Sequence, residues 1–575
     1  FTQQMMEHGP YTLKREEPDN MKKVWKGAAA AIAALSLGVT GFVGATSAYA
    51  ETVTTGSITI TDDATTARDY NAYQIFAGEY DTTTEALSNV TWGTGITDAG
   101  KTALIAEVRT QVNTYNNGKP EAEQIKLSAT PTAADVAKAI TDLGLRDNTA
   151  GAKALANVFK TGGTLSATKT PLTKENNTYK AQNIATGYYL IEDSTNLGNN
   201  KYEAKTSFLL QVVGNATANP KREVPSVSKE VEDEDNENGG NEWGNSADHE
   251  IGETFRFKLE ATVPANDDLA DYSTYKMVFN DSMSAGLTWD SIDSVKITTT
   301  AGADIATVPV KNGATAGYEL SANAQQGAAA TAPNTLDWTL TLANVKSFMS
   351  DAQFVAGFKV TAIYNAKLNG DAFVNAANGT TTNLNKVNLS FSNNPNVDTE
   401  MGKTPDSTVY VFTYKVNALK TQGDGTTALK DAGFTIYKGE KNDDSKMSFV
   451  WNDTKKAYVV APAGTQDAVT EVFSQADGNF SFQGLEEGTY IVSETTTPAG
   501  YNTAADTTVV IGATHSGNNV EFTQDTTTSI KVINTPGSSL PETGGMGTTV
   551  LYVAGAAIVL IAGIGLAVVL RRRQA

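Results

Sequence analysis

Tyr490-Ile491-Val492-Ser493-Glu494-Thr495, with the Pro498-Ala499-Gly500-Tyr501 that follows, decides how this chain is read. Tyr490, Val492 and Glu494 fall on one face of a strand, so a carboxyl group points the same way as two core residues. The Pro-x-Gly run marks a turn directly behind them. Upstream, Leu419-Lys420 is followed by Leu429, Ala432 and Phe434. Downstream, a strand from Ser529 ends on Ile533-Asn534. One β block therefore opens near a lysine, carries a glutamate on an inward row and closes on an asparagine.

Working outward, β-alternation covers most of the chain. A first block spans 51–218, with strands at Gly56–Ile60 and Tyr70–Phe76. Between about 98 and 162 the period turns helical. There Ala103, Leu104, Val108 and Val112 gather on one side, and Ala133, Val136, Ala137, Ile140 and Leu143 form a tighter stripe. Strands resume at Gly187–Glu192 and Ser207–Val213. Residues 219–226, with two prolines, read as a linker or an extended edge. A second block covers 227–396, where Phe255, Phe257 and Leu259 alternate, as do Val387, Leu389 and Phe391. Within it, Asp233–Gly244 reads as an acidic, solvated hairpin loop without calcium-loop spacing. After a polar connection at 397–408, the third block runs 409–535. The expected fold class is mainly β, three sandwiches in a row, the first with a helical insertion.

Both ends carry targeting signals. Met21-Lys22-Lys23, an apolar stretch from Gly27 to about Val43 and Ala48-Tyr49-Ala50 make residues 21–50 a signal peptide. Residues 1–20 are then upstream sequence with no part in the fold. Residues 536–575 hold Leu540-Pro541-Glu542-Thr543-Gly544, an uncharged run of 22 residues from Thr549 to Leu570, and Arg571-Arg572-Arg573. As a helix the run can cross a hydrocarbon core about 30 Å thick, with the arginines on the cytoplasmic side. The exported part, 51–543, has 36 basic and 60 acidic residues, a net charge of −24. Such a surface favours solubility and repels nucleic acid. There is no cysteine, and the histidines are His8, His249 and His515. No metal, cofactor or enzymatic turnover is expected from so few parts, and a secreted hydrolase would lack a recognisable catalytic set.

The ordered pentapeptide, spanning run and basic tail resemble the cell-wall sorting signal of Gram-positive surface proteins. The resemblance implies a sortase that cleaves between Thr543 and Gly544 and passes the Thr543 carbonyl to an amine. A plain single-pass anchor with a chance pentapeptide is the alternative. Tyr490–Tyr501 resembles the E-box of the collagen-adhesin (Cna) B-type immunoglobulin-like domains of pilins and adhesins, Y-x-L-x-E-T-x-x-P-x-G-Y, departing from it at Ile491-Val492. In that family a first-strand lysine and a last-strand asparagine form an isopeptide bond, helped by the E-box glutamate. The resemblance implies Lys420, Asn534 and Glu494 in those roles. A lysine amine is nucleophilic only when neutral, and burial lowers its pKa while raising that of a carboxyl. A protonated Glu494 could then polarise the Asn534 amide while Lys420 attacks and ammonia leaves. A buried Lys420–Glu494 salt bridge is the plainer alternative.

The second block offers a similar set. Lys229 follows Val227-Ser228, Asp281 shares a face with Met277 and Phe279, and Asn393 continues the row Val387, Leu389, Phe391. Parity favours Asn393 over Asn394. This resembles the lysine, aspartate and asparagine of the middle domain of shaft pilins, against a surface lysine and a turn asparagine. In the first block Gly187–Asp193 echoes an E-box through Glu192 but lacks its tail, and no bond is expected there. Asn219-Pro220-Lys221-Arg222 stands where shaft pilins carry Tyr-Pro-Lys-Asn, matching at Pro-Lys only. The resemblance implies Lys221 as the amine that attacks the Thr543 acyl-enzyme of another subunit, against a merely solvated lysine. Together these features imply a major (shaft) pilin, secreted and anchored to the Gram-positive cell wall. A pilin sortase and a housekeeping sortase, identical subunits, peptidoglycan, minor pilins and host surface ligands are the implied partners. The alternatives are a monomeric anchored adhesin with Lys221 idle, and a minor basal or tip pilin.

Overall fold

A computed structural model of the chain describes residues 52–62, 66–81, 86–145, 150–197, 202–205, 209–213, 215–218, 223–233, 243–374, 383–523, 526–537 and 547–573. The architecture is mainly β, in three consecutive two-sheet units. In the first unit one sheet is ordered Thr52–Val53, Tyr70–Asp81, Gly187–Asp193, Leu209–Val213. The other is ordered Asn215–Ala218, Thr55–Thr61, Thr178–Ala185, Thr173–Glu175. Ile58, Ile60 and Tyr179 of one pack with Tyr70, Tyr189 and Ile191 of the other. Helices Asp98–Asn116, Ala133–Asp142 and Ala150–Val158 cover the far face of the first sheet, with Val108, Val136, Ile140 and Leu155 against Tyr73, Phe76 and Tyr188. Sandwiched on both faces, Gly187–Ile191 reads as a continuous apolar run rather than an alternating one. Thr132 and Asp135 close a capping box at the start of the second helix.

The middle unit keeps strict alternation because each sheet has one face in the core. Its first sheet runs Trp243–Gly244, Ser226–Glu232, Thr254–Val263, Phe358–Leu368, Leu287–Thr299, Asp304–Thr307. Its second runs Ser246–Asp248, Ser407–Phe412, Asn383–Ser392, Met277–Ser284, Thr335–Leu342, Tyr318–Leu320. The Ser407–Phe412 strand belongs here, antiparallel to Asn383–Ser392 with Val411 opposite Asn383. The middle unit therefore continues past 396, and the third begins at Tyr414 rather than Val409. The chain passes from one strand to the next without a polar linker, so composition does not mark the join.

In the third unit one sheet is ordered Phe449–Asn452, Ala457–Val460, Asn479–Leu485, Tyr414–Gln422, Ser529–Asn534. The other is ordered Val472–Phe473, Gly433–Lys438, Gly488–Thr496, Thr507–Ile511. The middle and third units share one continuous apolar core. The expected C-terminal membrane span is not shown. A helix covers Gly547–Arg573, but among the described residues no helix is long and apolar enough to cross a membrane.

Candidate functional site

In the third unit the first and last strands lie side by side and parallel, with Lys420 opposite Val532 and Gln422 opposite Asn534. Lys420 and Asn534 are fully buried and Glu494 nearly so. Asn534 Nδ2 donates to Glu494 Oε1 at 2.7 Å, and the Ala504 amide donates to Oε2 at 2.6 Å. Lys420 Nζ donates to the carbonyls of Thr421 at 3.0 Å and Val532 at 3.4 Å. The three residues implied by the E-box thus form one buried cluster. Burial pushes the Lys420 amine below its ordinary value, against the pull of Glu494.

The local sequence explains the placement. Glu494, opposite Phe434, keeps the inward parity of Tyr490 and Val492, and a bulge at Thr495 follows it, where the register steps to Gly433 opposite Thr496. Pro498 accepts from the Tyr501 amide across a turn through Gly500 (φ 86°). The turn then pairs with the end of the last strand, since Asn502 N donates to Thr535 O at 3.0 Å and Gly537 N to Gly500 O at 2.8 Å. The E-box therefore positions the carboxyl and also clamps the chain just beyond Asn534. The Lys420 amide donates to Gly478 O, and a Cβ at Gly478 would meet Lys420 O at 2.4 Å, so the lysine strand needs glycine there.

The middle unit holds a second cluster, between its sheets. Lys229 and Asp281 side chains have no exposure and form a close ion pair. Lys229 Nζ also lies 3.0 Å from Tyr364 Oη, which is 3.2 and 3.3 Å from the two Asp281 oxygens. Asn385 Nδ2 donates to the same Tyr364 oxygen at 2.6 Å. Burial brings the Lys229 amine down to about 8 and raises the Asp281 carboxyl, and each group's charge opposes its partner's shift. Both shifts favour the uncharged pair, the form in which the amine is a nucleophile.

Asn393 is not in this cluster. Asp281 stands opposite Val387, and Asn393 is six residues further along, about 20 Å at roughly 3.3 Å per residue. It serves the junction with the first unit instead. Its Nδ2 donates to Glu203 O at 3.1 Å, and its carbonyl accepts from Lys205 N at 2.7 Å. Asn385 lies two residues from Val387 on the same inward face and is fully buried. Parity fixed the face correctly but not the height along the strand. The row Asn383, Asn385, Val387, Leu389, Phe391 could be extended toward either end, and the asparagine that reaches the cluster is at the other one. Asn383 is also buried, but its amide is saturated by Phe373 N and O and Val411 O. Asn385 Oδ1 and Asn534 Oδ1, by contrast, are buried without a hydrogen-bond partner among the described residues; Asn393 Oδ1 is too, so its contact with Tyr364, not the orphaned oxygen alone, sets Asn385 apart from Asn393. An orphaned buried acceptor is costly and calls for a reason. Tyr364 escaped the sequence reading because an inward tyrosine in an alternating strand looks like ordinary core. Its signal is the small Ala362 and Ala366 on either side in the same inward row.

The buried cation of the first sandwich is an arginine. Arg68 pairs with Asp193 at 3.3 Å and Glu203 at 3.2 Å, and a guanidinium has no amine to give. Glu192 accepts from Tyr73 Oη at 3.0 Å. Lys221, Leu540–Gly544, the 1–50 segment and 234–242 of the acidic loop lie outside the described residues.

Comparison with known proteins gives one family match, the SpaA prealbumin-like fold domain, over residues 414–526. No curated protein matches. Among solved structures, the full-length major pilin SpaD of Corynebacterium diphtheriae is similar at 15% identity and a TM-score of 0.42, covering 84% of this chain and 98% of that one. The T6 backbone pilin of Streptococcus pyogenes is similar at 14% and 0.44, covering 85% and 100%. The major pilin SpaA of Corynebacterium diphtheriae is similar at 14% and 0.40, covering 84% and 100%. The unit that holds Lys420 and Glu494 is thus similar to the SpaA prealbumin-like fold domain.

Proposed function

We propose that this chain is the shaft subunit of a covalently polymerised, wall-anchored pilus, with Lys229–Asn385 and Lys420–Asn534 isopeptide bonds inside its middle and third domains. The observation that carries this reading is the recurrence, in two consecutive β domains, of a buried lysine with a depressed pKa beside a buried carboxyl and an asparagine whose carbonyl oxygen is unpartnered. A structural salt bridge would not need the asparagine. The family match over 414–526 supports it. In each bond the lysine nitrogen attacks the asparagine Cγ and ammonia leaves, once per molecule.

Polymerisation adds a third kind of amide, from Thr543 of one subunit to Lys221 of the next. Donor and acceptor occupy different surfaces, so the contact does not close on itself and makes a filament. A domain cross-linked between distant strands cannot extend between the bonded residues under tension, which suits a cysteine-free fibre. After transfer to peptidoglycan by a housekeeping sortase, the membrane segment would be gone. Boiled, detergent-treated wall extracts should show a ladder of multimers that vanishes in Lys221→Ala and in Thr543→Ala. A ladder that survives Lys221→Ala removes the acceptor assignment, and monomers alone in the wild type favour the anchored adhesin.

A further inference from the structure

Tyr364 touches every group that reacts in the middle domain. Its hydroxyl oxygen lies 3.0 Å from the attacking Lys229 nitrogen and 2.6 Å from the departing Asn385 nitrogen, with both Asp281 oxygens within 3.3 Å. In the third domain the group on the departing nitrogen is the carboxyl of Glu494, at 2.7 Å from Asn534 Nδ2. In the middle domain the carboxyl of Asp281 sits on the attacking nitrogen instead, and the departing nitrogen rests on the phenol. We propose that Tyr364 is the proton relay of the middle-domain bond, passing a proton from Lys229 Nζ to Asn385 Nδ2. This rests on the Lys229–Asn385 bond proposed above.

The step balances as follows. The Lys229 ammonium gives one proton to the Asp281 carboxylate and becomes an amine. The amine lone pair attacks Asn385 Cγ, and the Asp281 carboxyl returns its proton to Oδ1, which becomes a hydroxyl. The amide nitrogen has no basic lone pair until Cγ is tetrahedral. Once it is, Tyr364 accepts a proton from the now positive Nζ and donates its own to Nδ2. The Cγ–Nδ2 bond breaks, its electron pair leaves with ammonia, and the hydroxyl re-forms the carbonyl by giving its proton back to Asp281. Tyr364 ends as it began. Burial and the Asp281 charge hold its hydroxyl well above its ordinary pKa, so it remains a proton donor throughout.

The test follows the full chain through time after cell-free synthesis and quantifies the cross-linked peptides. Tyr364→Phe keeps the ring contacts with Trp338 at 4.9 Å and Phe257 at 5.3 Å, and unchanged tryptophan emission verifies the packing. The Lys229–Asn385 cross-link should form about 100-fold more slowly, while the Lys420–Asn534 cross-link in the same molecules keeps its rate. The shape of the pH profile separates a relay from a structural role. The wild-type rate should climb until the Lys229–Asp281 pair holds one shared proton and fall only when that proton too is lost. The variant's rate should turn down at lower pH than the wild type's, because water must then supply the departing proton. A normal rate, or a slowed rate with the wild-type profile, overturns the relay and leaves the bond standing. A wild type that never forms the Lys229–Asn385 cross-link overturns the bond itself.

Discussion

The middle and third domains arrange the same three kinds of side chain in opposite ways. In the middle domain the acid lies on the lysine, and the asparagine nitrogen is held by a phenol. In the third the acid lies on the asparagine nitrogen, and the lysine points at two backbone carbonyls. Strand geometry explains the difference. Lys420 and Asn534 come from adjacent parallel strands of one sheet, and Glu494 reaches them from the opposite sheet. Lys229 and Asn385 come from opposite sheets, with Asp281 beside Asn385 on the neighbouring strand and Tyr364 two strands from Lys229. In the third domain the carboxyl holds the asparagine nitrogen alone, whereas in the middle one the carboxyl holds the lysine nitrogen and a phenol holds the asparagine's. Burial, which makes the amine a nucleophile in both places, is the constant.

The largest expected effect separates the domains cleanly. Asp281→Asn should abolish the middle cross-link and leave the third, and Glu494→Gln should do the reverse. Each lost bond opens a loop on the order of 100 residues, which lowers the stability of that domain by about 5 kcal/mol, read as thermal melting and protease resistance. If either variant removes both bonds, the two sites are coupled and the comparison fails.

A pH effect sharpens it further. In Asn385→Ala the Lys229 amine stays free, with a pKa of about 8 in the fold against an ordinary value of 10.5. Between those values the unfolded chain binds more protons, so the stability of the unbonded middle domain should rise as pH increases across that window. The bonded wild type has no amine there to titrate, and its melts should show only the smaller rise due to Lys455, whose amine burial also brings down to about 8. A wild type that shows the same rise carries a free Lys229.

Asn393→Ala is the smallest change and guards the choice of Asn385. It removes a hydrogen bond to Glu203 O, worth about 1 kcal/mol, and should leave the ammonia deficit, measured against the variant's own sequence mass, unaltered. Failure of that variant to lose the ammonia equivalent of the middle-domain bond would restore Asn393 as the reacting residue.

The third-domain site was legible in the sequence because the E-box fixes its own neighbours. Its glutamate, its turn and the clamp on the last strand all lie within or beside one short run, so spacing determines position. The middle-domain site has no such run. Alternation identified Lys229 and Asp281 as inward, yet a period of two says nothing about how far along a strand a partner sits, and Asn393 shared the parity of Asn385. The register that decides between them depends on pairing with Met277–Ser284, more than 100 residues away in sequence. Tyr364 was unreadable for a related reason, since an aromatic residue in a core row signals chemistry only once its hydroxyl has neighbours. The Ser407–Phe412 strand was split by the assumed boundary because its apolar residues fit either sandwich equally well.

Peptide mass spectrometry of the chain taken from the cell surface tests the central claim most directly. The account predicts two cross-linked species, Lys229 with Asn385 and Lys420 with Asn534, each lighter than its parent peptides by one ammonia. Recovery of all four residues in ordinary, unlinked peptides would contradict it.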